Sequence, residues 1–256
     1  MPLTFNWQQM IESFDERRDI IIPGDTKETV NFCVKQFLQI AADAIEKRGR
    51  FVVALSGGST PNAIFKELTN EDNRSKIDWT KVFCFWGDER SVPPSHPDSN
   101  YHTAMQAGLS ALPLPAANIF RMPAESDIEE NTLAYEQQLL SICPSGEFDL
   151  VMLGMGEDAH TASLFPRTHA LHSDQRLVVA NYVPQKKAWR MTLTYKCINA
   201  ARQIDIYVMG KNKAAMLSQV LSSPYDPDSL PIQRIGTSTH KALWILDRDA
   251  GEKILI

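Results

Sequence analysis

The stretch Phe148-Asp149-Leu150-Val151-Met152-Leu153-Gly154-Met155-Gly156-Glu157-Asp158-Ala159-His160-Thr161-Ala162-Ser163-Leu164-Phe165-Pro166 decides the architecture. Phe148 to Leu153 is the most apolar strand-like run in the chain. A strand that is apolar with little alternation is buried on both faces, as at the centre of a parallel sheet covered by helices. The segment after it turns abruptly to glycine and charge, where open α/β sheets place their ligands.

Working outward, strand-type runs alternate with amphipathic segments. Upstream, Asp127 and Glu130 suggest a capping box, and Ile128, Thr132, Tyr135, Leu139 and Ile142 form one helical stripe behind it. Val82–Trp86 and Phe51–Leu55 read as strands, the second leading through a Gly-rich turn into a helix at Thr60-Pro61. Ile20–Ile22 reads as a first short strand stopped by Pro23-Gly24. Asp25 with Glu28 then predicts a capped helix presenting Val30, Cys33, Phe37, Ala41, Ala44 and Ile45 on one face. Downstream, strands are expected at Leu177–Tyr182, Ile204–Met209 and Ala242–Leu246, with a helix at about 213–221 and a surface loop at Ser223–Pro231. The order predicts one α/β domain over residues 1–256, a mostly parallel sheet flanked by helices.

Composition narrows the function. The hydrophobic fraction of 43% and charged fraction of 22% are those of a globular protein. With 31 acidic and 26 basic residues the net charge is −5, which leaves no footprint for nucleic acid or an anionic membrane. An anionic substrate would need a few basic residues gathered locally. The four cysteines are scattered, without CxxC or zinc-ligand spacing, and read as small core residues in a reducing compartment. The N-terminus has no apolar h-region, and no run reaches the roughly 20 apolar residues of a membrane span. A cytoplasmic protein is expected.

Three strand ends carry chemistry. Ser56-Gly57-Gly58-Ser59-Thr60-Pro61 joins a strand to a helix, with Thr60 or Ser59 able to cap and Pro61 suited to the first turn. Such a helix start suits a phosphate, though the same residues also make an ordinary capped turn. Gly87-Asp88-Glu89-Arg90 follows a buried strand: Arg90 suits a phosphate, and Asp88 and Glu89 sugar hydroxyls, unless these charges pair among themselves. Gly154 to Ala159 superficially fits GxGxxA, a relaxed dinucleotide fingerprint. Asp158 and His160 fall where a packing helix would be apolar, however, so the pair reads as a general base beside a carboxylate. Arg190 at the start of a short strand and Lys211 after another are further cations; each alone is as well explained as a surface charge. Five strand ends carry glycine, charge or both, and in a parallel sheet those ends share one edge.

On SGGSTP (Ser56–Pro61), GDER (Gly87–Arg90), GMGEDAHTASLFP (Gly154–Pro166), RMTLT (Arg190–Thr194) and GKNKA (Gly210–Ala214), the sequence resembles the 6-phosphogluconolactonase family, itself similar to the glucosamine-6-phosphate deaminases. The resemblance implies a sugar-phosphate isomerase-like, Rossmann-related fold. It also implies cofactor-free, metal-free hydrolysis of 6-phosphogluconolactone in the oxidative pentose phosphate pathway. The deaminase relatives have Ile-Ala-Phe-Asn-Glu-Pro after the His, where this chain has Thr161 to Pro166 and no carboxylate. Ala159 stands where the family usually has Gly, which implies strain of roughly 1 kcal/mol if that position needs φ > 0.

The expected site therefore has His160 as the base that activates water and Asp158 as its orienting carboxylate. Backbone N–H groups near Gly57-Gly58 or Gly156 would serve an oxyanion. Ser56, Gly57, Gly58, Ser59, Thr60, Asp88, Arg90, Arg190 and Lys211 would bind the substrate and its phosphate. Ser163 lacks the GxSxG elbow of a nucleophile. The partner is a small phosphorylated lactone. A monomer is the expected state, although nothing in the sequence fixes it. A sugar-phosphate isomerase or deaminase and a non-catalytic sensor are the alternatives.

Overall fold

In a computed structural model, which describes residues 5–254, eleven strands form two sheets. In chain order they are β1 (Glu12–Ser13), β2 (Arg18–Ile21), β3 (Phe51–Leu55), β4 (Val82–Trp86), β5 (Asp88–Arg90), β6 (Ile119–Phe120), β7 (Leu150–Gly154), β8 (Val178–Val183), β9 (Ala188–Leu193), β10 (Ile204–Val208) and β11 (Ala242–Leu246). The α-helices are α1 (Thr26–Arg48), α2 (Ser59–Leu68), α3 (Glu71–Arg74), α4 (Asn100–Gln106), α5 (Ile128–Ile142), α6 (Tyr195–Asn199) and α7 (Ala214–Ser222). The large sheet has the order β1-β2-β11-β10-β7-β3-β4-β6 and is parallel except for β1. β7 lies inside it between β10 and β3, as its apolar run requires.

Successive residues of a strand face opposite ways, so each central strand feeds two cores. Val151 and Leu153 of β7 pack with Tyr135 and Leu139 of α5 on one face. Leu150 and Met152 pack with Phe37 and Ala41 of α1 on the other. Asp25 caps α1 as expected: its carboxylate accepts from Glu28 N, and the Glu28 side chain accepts from Asp25 N.

Three expectations are corrected. Asp127 does not form a capping box; it takes a left-handed conformation (φ 40, ψ 44), and its side chain makes no hydrogen bond to the helix amides. Neither Ser59 nor Thr60 caps α2: the N-cap is Gly58 at φ 109, which a residue with a Cβ rarely adopts, and no side chain caps there. Nor do the strand ends all share one edge. β5, β9 and β8 form a separate three-stranded antiparallel sheet, and Arg190 is the third residue of β9 rather than its first. This small sheet stands over the carboxyl ends of β3, β4 and β7 and forms one wall of the site. Among the described residues no helix is long and apolar enough to cross a membrane.

Candidate active site

A cleft of about 620 Å³ opens where the small sheet meets the carboxyl ends of the large one. Ser56, Gly57 and Gly58 line it from the β3–α2 turn, Asp88 and Arg90 from β5, Gly156 and His160 from the loop after β7, and Arg190 from β9. Segments far apart in the chain are thus brought together, including seven of the eleven catalytic and substrate-binding residues expected at the site.

His160 is the best-defined group. Its Nδ1 lies 2.5 Å from Asp158 Oδ1, and its backbone N–H donates to the same oxygen. A carboxylate only accepts, so Nδ1 carries a proton, and in the neutral imidazole Nε2 is left with a free lone pair. Burial alone would push the Asp158 carboxyl up, but the hydrogen bond and charge of His160 outweigh it and hold the group below its ordinary value. Asp158 itself lies outside the cleft, behind the imidazole, on a second groove. Phe165 stacks on the His160 ring, centroids 4.0 Å apart and planes 17° from parallel. The loop leaves no room for a side chain at Gly156, where a Cβ would fall onto the imidazole. Gly156 N–H donates to His160 O at 2.9 Å, so it is not free for an oxyanion. Ala159 takes φ 61, the left-handed conformation that glycine fits better.

The second feature is a pair of arginines. Arg90 and Arg190 are direct partners across the β5–β9 ladder, where like charges repel. Burial and the Arg90 charge depress the Arg190 guanidinium's pKa, and Arg190 Nε is buried without a hydrogen-bond partner. Neither makes an ion pair among the described residues; Arg90 instead donates to Asp98 O. The nearby carboxylates are occupied. Asp88 accepts from Ser163 Oγ at 2.6 Å and Asn100 Nδ2 at 3.0 Å. Glu89 accepts from the backbone of Arg90, Asn100 and Tyr101 and from Ser99 Oγ.

Besides Asp158, three expected residues fall outside the cleft lining. Lys211 is 76% exposed and pairs with Glu252 at 3.4 Å. Its turn is drawn toward β11, because Gly210 N–H donates to Asp247. Ser59 and Thr60 also do not line the cleft; α2 begins at Ser59, one residue too early for Ser59 to cap it and two for Thr60. Conversely, Lys186 and Phe165 line it unannounced. Lys186 belongs to a charged turn in which nothing local separates it from Lys187. Ser163, dismissed as a nucleophile, is a strut: its hydroxyl goes to Asp88 and its N–H to Thr192 Oγ1.

Residues 24–244 match the family described as glucosamine-6-phosphate isomerases/6-phosphogluconolactonase. A Chlamydia trachomatis protein named 6-phosphogluconolactonase is 40% identical over 242 residues, covering 94% of this chain and 92% of that one. A Nostoc protein of the same name is 41% identical over 219 residues, covering 83% and 88%. Among solved structures, the devB protein superposes with a TM-score of 0.84 at 30% identity, covering 93% of this chain and all of its own. The Thermotoga maritima 6-phosphogluconolactonase does so with 0.78 at 26%, covering 91% and 100%. With its sheet order, its Asp158–His160 pair and matches of this extent, the chain belongs to the glucosamine-6-phosphate isomerase/6-phosphogluconolactonase family.

Proposed function

We propose that the protein hydrolyses 6-phosphogluconolactone to 6-phosphogluconate, with His160 removing a proton from the attacking water. The observation that carries this reading is His160, hydrogen-bonded to Asp158 behind it, sharing one cleft with two arginines that lack an anionic partner. Lactone opening needs an activated water, a place for the carbonyl charge and a proton for the departing ring oxygen. Nε2 of His160 takes the water proton, a role typically worth 10²–10⁴-fold, and the resulting imidazolium returns it to the ring oxygen. Asp158 holds the tautomer and stabilises that imidazolium. The N–H groups of Gly57 and Gly58 receive the oxyanion, since the Gly156 N–H is already engaged. Arg90, Arg190 and Lys186 hold the phosphate; guanidinium forks suit it bidentately. Anchoring that remote group fixes the carbonyl against the water. The whole chain acts as one catalytic domain.

An isomerase or deaminase would need a second carboxylate free to move protons beside the base. The imidazole has Asp158 at its edge and Phe165 on its face, and Asp88 is committed to Ser163 and Asn100. The test offers the wild type 6-phosphogluconolactone generated in situ and, separately, glucosamine 6-phosphate. Lactone loss well above the spontaneous rate with no ammonia release is expected. Ammonia release without lactone hydrolysis would place the chain with the deaminases, and inertness toward both would make it a binder.

A further inference from the structure

We propose that Phe165 is the positioning residue that fixes the plane of the His160 imidazole, so that the nitrogen left free by Asp158 faces the cleft. This rests on reading His160 as the base. A histidine ring turns about a soft terminal torsion with broad wells. The single hydrogen bond to Asp158 anchors one edge of the ring and leaves its tilt open. A flat face 4.0 Å away and 17° from parallel removes that freedom.

Phe165 can serve as a reference surface because it is itself held. It is 3% exposed, and its carbonyl accepts from Thr168 N at 3.3 Å and Thr168 Oγ1 at 2.8 Å. Asn181 Nδ2 donates to Thr168 Oγ1 and to Ser163 O, tying both ends of the segment to β8. Ser163 is bonded to Thr192 of β9 and Asp88 of β5. Left-handed residues bracket the segment, Ala162 at φ 47 and Arg167 at φ 58. Such conformations persist in non-glycine residues where surrounding contacts over-determine them. All three strands of the small sheet therefore combine to set one ring against another, coupling the wall that carries Arg190 to the base.

The test uses Phe165→Leu, which keeps an apolar side chain but offers no flat face, and Phe165→Tyr, which keeps the ring. In the free protein, the His160 Cε1–H resonance, assigned with His160→Ala, should be displaced by the Phe165 ring current in wild type and Phe165→Tyr. It should move toward the position of an exposed histidine in Phe165→Leu. On the lactone, Phe165→Leu should lower kcat roughly 10- to 100-fold with KM within about threefold, as expected of a misplaced base rather than a damaged binding site. Phe165→Tyr should restore most of that loss. A wild-type kcat in Phe165→Leu, or a His160 signal unmoved by it, would overturn the proposal. If the wild type did not hydrolyse the lactone at all, the reading of the reaction would fail, while the resonance would still decide the stacking.

Discussion

His160 is constrained on three sides: by Asp158 at its edge, by Phe165 on its face, and by the missing side chain of Gly156. Gly156→Ala should therefore cost at least about 100-fold in kcat, because misplacing the base by an ångström has that scale of effect. Its thermal midpoint should move far less, which a melting curve beside the kinetics would show. The arginine pair makes a complementary prediction. Arg190→Ala should raise KM about 10- to 100-fold by removing a half-buried cation whose fork suits a phosphate, whereas Lys211→Ala, on the exterior with Glu252, should leave KM within about twofold. Lys211 shows how far a residue-level reading reaches. Its place after a strand was legible, but the path of its turn is set by Asp247, a contact made from a distant strand end.

Two helix starts looked alike in sequence and differ in structure, because an N-cap depends on backbone angles as well as residue type. Asp25→Ala should cost about 1 kcal/mol by removing a formed capping box, seen as a lower urea midpoint. The corresponding loss is not expected for Glu130→Ala, since no box forms at Asp127. Strands β3, β4 and β11 fall where their apolar runs predict, because burial on both faces writes an unbroken signal. The small antiparallel sheet was legible only in part: β8 and the strand carrying Arg190 read as strands, but β5 did not. β5 is a three-residue strand separated from β4 by Gly87 alone, so it reads as a charged loop, and its pairing partner β9 lies far downstream. That missed pairing is also why the facing of Arg90 and Arg190 could not be foreseen, although both residues were singled out.

Across the molecule, the large sheet supplies stability and the junction with the small sheet supplies the cleft. One core residue should leave a pH signature on the whole fold. Asp205, on β10, is fully buried, and burial raises its carboxyl from 3.8 to about 7 against hydrogen bonds from Gln203, Gln36 and Tyr207. The folded chain thus keeps a proton that the unfolded chain releases between about pH 4 and 7. Stability is full below that window and is lost as pH rises through it, by about 4 kcal/mol at most. Asp205→Asn should flatten this slope, making the variant more stable than wild type at pH 8 but not at pH 4 in urea titrations. In the proposed reaction an Asp-oriented histidine activates water against an arginine-anchored lactone. The most direct measurement follows 6-phosphogluconolactone loss above the spontaneous background for wild type and His160→Ala side by side. Fast hydrolysis by the wild type and a fall of about 100-fold or more in the variant are expected; a variant as fast as wild type would rule His160 out as the base.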